Sequence, residues 1–249
     1  RYEEGTDRLV AFGDETFAYD GMGNPTTYKG MTCAWEKGRQ LKKIDDGTRK
    51  VEYEYDVKGL RSTKKVYNQK TAATPSETIH FVYENGNLLR QENGTETLDF
   101  IYGSEGIIGF KLNGTNYLYR KNLFGDVTEI YNEDGTVVGK YSYTAFGECT
   151  KDLDSNGIAT VNPIRYRSYY YDEESELYYL KSRYYDPEIG RFITIDDISY
   201  LNSESINGLN LYAYCGNNPL MCLDTNGNAW WEWVILGGLS IIAVISIGV

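Results

Sequence analysis

The side chains that could do chemistry in this 249-residue chain are mostly carboxylates, 36 Asp and Glu against 25 Lys and Arg. Two carboxylates held close together, one charged and one protonated, can activate water and protonate a leaving group. With so many acids, spacing alone singles out no pair. Other reactive types are scarce. His80 is the sole histidine, which excludes multi-histidine metal sites and two-histidine chemistry. Its setting, Thr78-Ile79-His80-Phe81-Val82-Tyr83, is a strand pattern and gives it a structural role. The cysteines Cys33, Cys149, Cys215 and Cys222 form no C-x-x-C, which weakens zinc and thioredoxin-like readings. They read as free, mostly buried thiols. Gly103-x-x-Gly106 and Gly106-x-x-Gly109 lack the Lys-Ser/Thr that completes a phosphate loop. No Ser or Cys nucleophile has an evident His base, and no cofactor or metal is implied. The net charge of −11 argues against broad contact with nucleic acid or anionic lipid.

The elements that must position any carboxylates are legible in tyrosine and glycine. The chain has 24 Tyr and 26 Gly but 5 Pro, a strand-and-turn composition. Tyr is followed four residues later by Gly at Tyr19/Gly23, Tyr55/Gly59, Tyr102/Gly106, Tyr131/Gly135 and Tyr143/Gly147. Tyr83-Glu84-Asn85-Gly86 and Trp35-Glu36-Lys37-Gly38 are relatives of the same unit. Residues before each Tyr alternate with period two, as in Val51-Glu52-Tyr53-Glu54-Tyr55, the mark of a half-buried strand. Asp or Asn then starts a turn on its own backbone, and Gly accepts the positive φ the turn needs. Each unit is therefore expected to be a β-hairpin. A lone hairpin is marginal, so the hairpins must stack into one continuous sheet with Tyr rings on one face. An ordinary β-sandwich is the competing architecture. Ala72–Glu77 and Asp152–Asn156 read as surface loops.

The densest run of tyrosines carries a family signature. Arg165-Tyr166-Arg167, Tyr169-Tyr170-Tyr171-Asp172, Leu177-Tyr178-Tyr179-Leu180, Arg183-Tyr184-Tyr185-Asp186-Pro187 and Gly190-Arg191-Phe192 follow one another. Asn210-Leu211-Tyr212-Ala213-Tyr214-Cys215-Gly216-Asn217-Asn218-Pro219 and Asp224-Thr225-Asn226-Gly227 complete the series. This closely resembles the core domain of Rhs/YD-repeat proteins, from about Leu123 to Gly227, with YD-like units upstream. The resemblance implies an all-β chain whose hairpins form a segment of a spiral shell closed by the core. It divides the chain into a hairpin shell (1–122), the Rhs core (123–228) and the start of a variable C-terminal toxin region (229–249). The chain then reads as one end of a longer, exported bacterial protein, secreted or at the cell surface, whose partner is its own C-terminal toxin. A cell-surface carbohydrate- or wall-binding module, using exposed Tyr rings, is the alternative.

In such relatives the core resembles an aspartyl protease that cuts its own chain just after D-P-x-G. Carried over by motif position, the residues are Arg183, Asp196 and Asp224, with Asp186, Asp197 and Arg191 as near neighbours. Two departures stand out. The family's D-P after the Phe strand is Asp196-Asp197, and the block before the cut is Asp224-Thr225-Asn226-Gly227-Asn228, with a polar residue where a large apolar one is usual. Cleavage is expected near Asn228–Ala229. The structural alternative is that Asp186-Pro187 and Asp224 cap turns and that Arg183 pairs with Asp186 on a sheet surface. Past Gly227, Trp230-Trp231-Glu232-Trp233 leads into an uncharged stretch, 234–249. It is expected to be a short hydrophobic helix able to contact a membrane, with a buried strand or core helix as the alternative.

Overall fold

A computed structural model describes residues 1–104, 106–196, 210–224, 227, 230–236 and 239–242. Its dominant element is a 14-stranded antiparallel meander in which every strand pairs with its neighbour in sequence. The meander runs from Ala18–Tyr19 to Cys149–Asp154. This is the stacked-hairpin sheet expected from the repeats. Glu77 begins a strand and Asp152–Asp154 ends one, so the two expected loops are shorter than their sequence suggested.

The turns explain the repeat. Asp20 Oδ1 accepts the backbone N–H groups of Met22 and Asn24, both at 2.9 Å. Asp56 does the same for Lys58 and Leu60, and Asn132 for Asp134 and Thr136. The glycine N–H then closes on the carbonyl of the Asp or Asn, as Gly59 does on Asp56 at 3.1 Å. Gly59 has φ +83°, a conformation that costs glycine little and other residues more. The pairing register shifts at Tyr19, Tyr55, Tyr102 and Tyr131, and such bulges re-aim a side chain. The tyrosine hydroxyl then reaches back to an earlier strand: Tyr55 donates to the Leu41 carbonyl at 2.9 Å and Tyr102 to Leu88 at 3.0 Å. Tyr143 donates likewise to Val127 at 2.7 Å. One further unit escapes a search for tyrosine. Lys121-Asn122-Leu123-Phe124-Gly125 has the same Asn turn, and Lys121 Nζ donates to the Ile107 carbonyl at 2.7 Å in the place of the phenol.

A smaller four-stranded sheet packs on the meander. Its strands are Tyr170–Asp172, Leu177–Tyr179, Tyr184–Asp186 and Arg191–Phe192. Tyr170, Leu177, Tyr179 and Tyr184 share one hydrophobic core with meander residues such as Leu41, Tyr53, Phe81 and Phe110. Three tyrosines of the dense run dock on the last meander turn. Tyr166, Tyr185 and Tyr178 donate to the consecutive carbonyls of Ala145, Phe146 and Gly147 at 2.9, 2.6 and 2.9 Å. Burial pushes the Tyr141, Tyr166, Tyr170 and Tyr184 phenols up to about 12, so they stay protonated donors. Among the described residues Tyr2 alone of the tyrosines is exposed.

One ion cluster pins the two sheets together. Arg61 of the meander strand Arg61–Tyr67 is fully buried and donates to Asp172 of the small sheet. Its guanidinium lies 4.5 Å from the Tyr179 ring centre and 4.8 Å from that of Tyr170. Lys64 Nζ adds a contact to Asp172 at 3.2 Å and one to Glu174 at 2.9 Å.

The C-terminal segment departs from expectation. Its described part is not a helix but two strands, Trp230–Leu236 and Leu239–Ile242, paired antiparallel with Leu236 opposite Leu239. The first also pairs with Cys222–Asp224. The cause is in the sequence: β-branched residues favour the pleated state, and Gly237-Gly238 between the strands is a composition that suits a two-residue hairpin. Among the described residues no helix is long and apolar enough to cross a membrane.

Burial alone would raise the Asp172 carboxyl, but Arg61 and Lys64 override it and hold it below the usual carboxylate range. That stabilisation is fully present above the unfolded value of about 4 and is lost as pH falls through the lower folded value. Asp172→Asn, which leaves buried Arg61 without its counter-charge and Lys64 with Glu174 alone, should cost about 3–5 kcal/mol in urea unfolding at neutral pH. The variant should also lose part of the acid-side decline in stability that the parent shows.

Candidate active site

Arg183, Asp196 and Asp224 come together. Arg183 sits in the short connection between Leu177–Tyr179 and Tyr184–Asp186. Asp196 follows the strand Arg191–Phe192, and Asp224 ends the strand Cys222–Asp224. All three side chains are under 10 % exposed, at 4, 8 and 3 %. The guanidinium Nη2 lies 2.6 Å from Asp196 Oδ2 and 3.7 Å from Asp224 Oδ2. Both carboxylates therefore address one nitrogen, and they are brought there from residues far apart in the chain.

The surroundings fix that geometry. The Arg183 guanidinium stacks over the Phe192 ring at 3.6 Å. The Leu211 carbonyl accepts from Arg183 Nη1 and from the Asp196 backbone N–H, both at 3.0 Å, which ties the arginine and the first aspartate to one point. Behind Asp224 lies the second aromatic cluster, Tyr166, Tyr169, Tyr178, Tyr185, Phe192 and Tyr214. Tyr169 donates its hydroxyl to the Asp224 carbonyl, and that hydroxyl is 3.0 Å from the one on Tyr214.

The chain after Asp224 turns back onto the same arginine. Gly227 N–H donates to Asp224 Oδ1 at 2.7 Å, and Arg183 Nε donates to the Gly227 carbonyl. Gly227 has φ +81°, and a Cβ there would stand 2.6 Å from Ser182 Oγ and 2.9 Å from the Leu180 carbonyl. Glycine is thus required twice over, by conformation and by space. The arrangement places two carboxylates and two peptide carbonyls, those of Leu211 and Gly227, on a single guanidinium. A donor on a carbonyl stabilises negative charge developing there, and paired carboxylates supply acid and base.

Other expected neighbours sit elsewhere. Asp186 is fully buried and accepts from the Tyr28 hydroxyl at 2.8 Å and from Lys29 at 2.7 Å, so it docks the small sheet on the meander. It also accepts the backbone N–H groups of Glu188 and Ile189, as a turn cap. Arg183 does not pair with Asp186 on a sheet surface. It is buried, and among the described residues its carboxylate contacts are those with Asp196 and Asp224. Arg191 donates to the Asp7 carbonyl and stacks between the rings of Tyr212 and Tyr2. Asp197, Thr225, Asn226, Asn228 and Ala229 lie outside the described residues. His80 is exposed on the strand Glu77–Glu84. All four cysteines are free, with Cys33, Cys215 and Cys222 buried. Burial pushes the Cys33 thiol up to about 12 and Cys149 to about 11, away from nucleophilic thiolate chemistry. Among the described residues no cluster of His, Cys, Asp and Glu is arranged to hold a metal ion. Sequence reasoning missed Tyr169 and the Leu211 carbonyl as supports of the site; only their tertiary contacts reveal them.

Comparison with known proteins finds relatives of the chain as a whole. Residues 2–220 match the family model described as Teneurin YD-shell. The tRNA3(Ser)-specific nuclease WapA of Bacillus spizizenii is 33% identical over 237 residues, covering 92% of this chain and 10% of that protein. The double-stranded DNA deaminase toxin A of Burkholderia cenocepacia is 26% identical over 262 residues, covering 92% of this chain and 18% of that protein. The crystal structure of TcdB2-TccC3-Cdc42 superposes with a TM-score of 0.65 at 23% identity, over 84% of this chain and 11% of that one. The chain thus spans between a tenth and a fifth of the length of these relatives. With the meander of Asx-Gly hairpins, the docked small sheet and the family match over most of its residues, the chain belongs to the Teneurin YD-shell family.

Proposed function

We propose that this chain closes one end of a β-shell around a C-terminal toxin and cuts that toxin free from itself near Asn228. Residues 1–122 serve as shell, 123–228 as the closing core, and 229 onward as the beginning of the cargo. The single observation that carries the cleavage reading is Arg183, which holds Asp196, Asp224 and the Gly227 carbonyl on one guanidinium. Asp196, with the closer cation, is the base: it takes a proton from a water whose oxygen adds to the scissile carbonyl carbon. Asp224 is the acid and protonates the departing amide nitrogen as the C–N bond breaks. The products are a new carboxyl terminus on the shell and a free amine on the cargo. Toxin relatives among the similar proteins support the cargo reading, and export to the outside of a bacterial cell follows from it.

The carbohydrate-binding alternative needs exposed aromatic rings. With Tyr2 the one exposed tyrosine among the described residues, it has little to draw on.

In a denaturing gel the chain carrying its natural C-terminal extension should run as two fragments. Asp196→Asn and Asp224→Asn should each leave it whole over the same period, since acid–base groups contribute about 10²–10⁴-fold in rate. An unmodified chain that never fragments would end the proposal. Gly227→Ala should slow the cut while leaving the shell folded, because its Cβ pushes against Ser182 and Leu180 and moves the carbonyl off Arg183. Circular dichroism alongside the gel separates the two effects.

A further inference from the structure

We propose that a pocket at one end of the meander, beside the core, binds a compact polyanion of the phosphate class. The cavity measures ≈ 530 Å³ and lies where the turns carrying Lys37 and Lys58 meet the connection carrying Lys181. Arg39 completes a set of four cationic residues in its lining, and among the described residues no carboxylate lines it. That segregation is unexpected in a chain of net charge −11.

The nearest acids in sequence are committed elsewhere. Glu36 pairs with Lys42 at 3.2 Å, and Asp56 accepts the backbone N–H groups of Lys58 and Leu60 at 2.8 and 2.9 Å. Among the described residues no carboxylate pairs with Lys37, Lys58 or Lys181. Arg39 is anchored to the Ile195 carbonyl at 3.1 Å, which holds its side chain at the pocket wall. Lys181 is held at φ +66° by a tight connection in which Ser182 N–H donates to the Leu180 carbonyl. Burial lowers its ammonium, and among the described residues no negative group offsets this; a bound anion would supply that offset.

The floor adds polar groups. The Tyr55 and Tyr184 hydroxyls lie 3.0 Å apart there. Gln40 Oε1 is buried without a hydrogen-bond partner. A half-turn of that amide exchanges the acceptor for an NH₂ donor, the group an anion needs. Several cations around a concave, partly enclosed space favour a ligand with two or more charges over chloride or a single carboxylate. This inference does not depend on self-cleavage.

The test is calorimetric titration of the 249-residue chain with pyrophosphate at low ionic strength, with inorganic phosphate as a second probe. Saturable one-to-one binding is expected, tighter for pyrophosphate. Lys37→Gln and Lys58→Gln change exposed lysines that pair with no carboxylate among the described residues, so folding should be untouched. Each should weaken pyrophosphate binding about ten-fold, the loss of one charge-assisted contact. Lys111→Gln, on an exposed strand position away from the pocket, should change nothing. Absence of saturable binding, or equal weakening by all three substitutions, would overturn the assignment.

Discussion

Burying a tyrosine ring favours a hydrogen-bond partner for its hydroxyl, and much of this molecule is arranged to supply one, although the Tyr53 hydroxyl is buried without one. The partners are chiefly carbonyls that hairpin turns and bulges leave unpaired. Tyr55, Tyr102 and Tyr143 answer carbonyls in earlier strands of the meander. Tyr166, Tyr178 and Tyr185 answer three in succession on one turn. Each ring fills apolar space and each hydroxyl satisfies a backbone group that would otherwise be buried at a cost of about 1–3 kcal/mol. Phenylalanine could do the first task but not the second. The exchange of Tyr for Lys at position 121 makes the same point, since an amine donates as well as a phenol.

The site inherits its rigidity from this packing. Asp224 is held from behind by Tyr169, whose hydroxyl meets that of Tyr214. Arg183 is stacked on Phe192, and that strand is tied to the docked sheet. A guanidinium so fixed presents Nη2 to both carboxylates, Nη1 to the Leu211 carbonyl and Nε to the Gly227 carbonyl. Sequence composition and site geometry are thus joined by one chain of causes. Tyrosines dock the small sheet on the last hairpin, the docked sheet sets Arg183, and Arg183 gathers Asp196, Asp224 and the Gly227 carbonyl.

Local features of this fold were legible in the sequence, and long-range ones were not. Tyr19, Tyr55 and Tyr102 could be assigned to hairpins because the Asx turn and its glycine are written within five residues. The Lys121 unit was missed because the pattern was keyed to the ring rather than to the donor. The Arg61–Asp172 pair has no local signature, since its members lie 111 residues apart. Asp186 was placed near the carboxylates by its position in the motif, yet its docking partners, Tyr28 and Lys29, come from the far end of the chain. Arg183, Asp196 and Asp224 were chosen through family resemblance; no spacing rule would have picked them from 36 acids and 25 bases. The C-terminal stretch was taken for a helix because an uncharged, β-branched run satisfies both states until a pairing partner decides. Here Cys222–Asp224 supplies one.

Hydrolysis by water at one position is the central claim, and mass spectrometry in ¹⁸O-labelled water tests it most directly. The chain with its natural extension, folded and incubated in labelled water, should give a shell fragment that ends near Asn228. That fragment should carry one heavy oxygen in its new carboxyl group, and the cargo fragment should carry none. A chain that stays intact, a cut elsewhere, or a terminus formed without label would contradict the account.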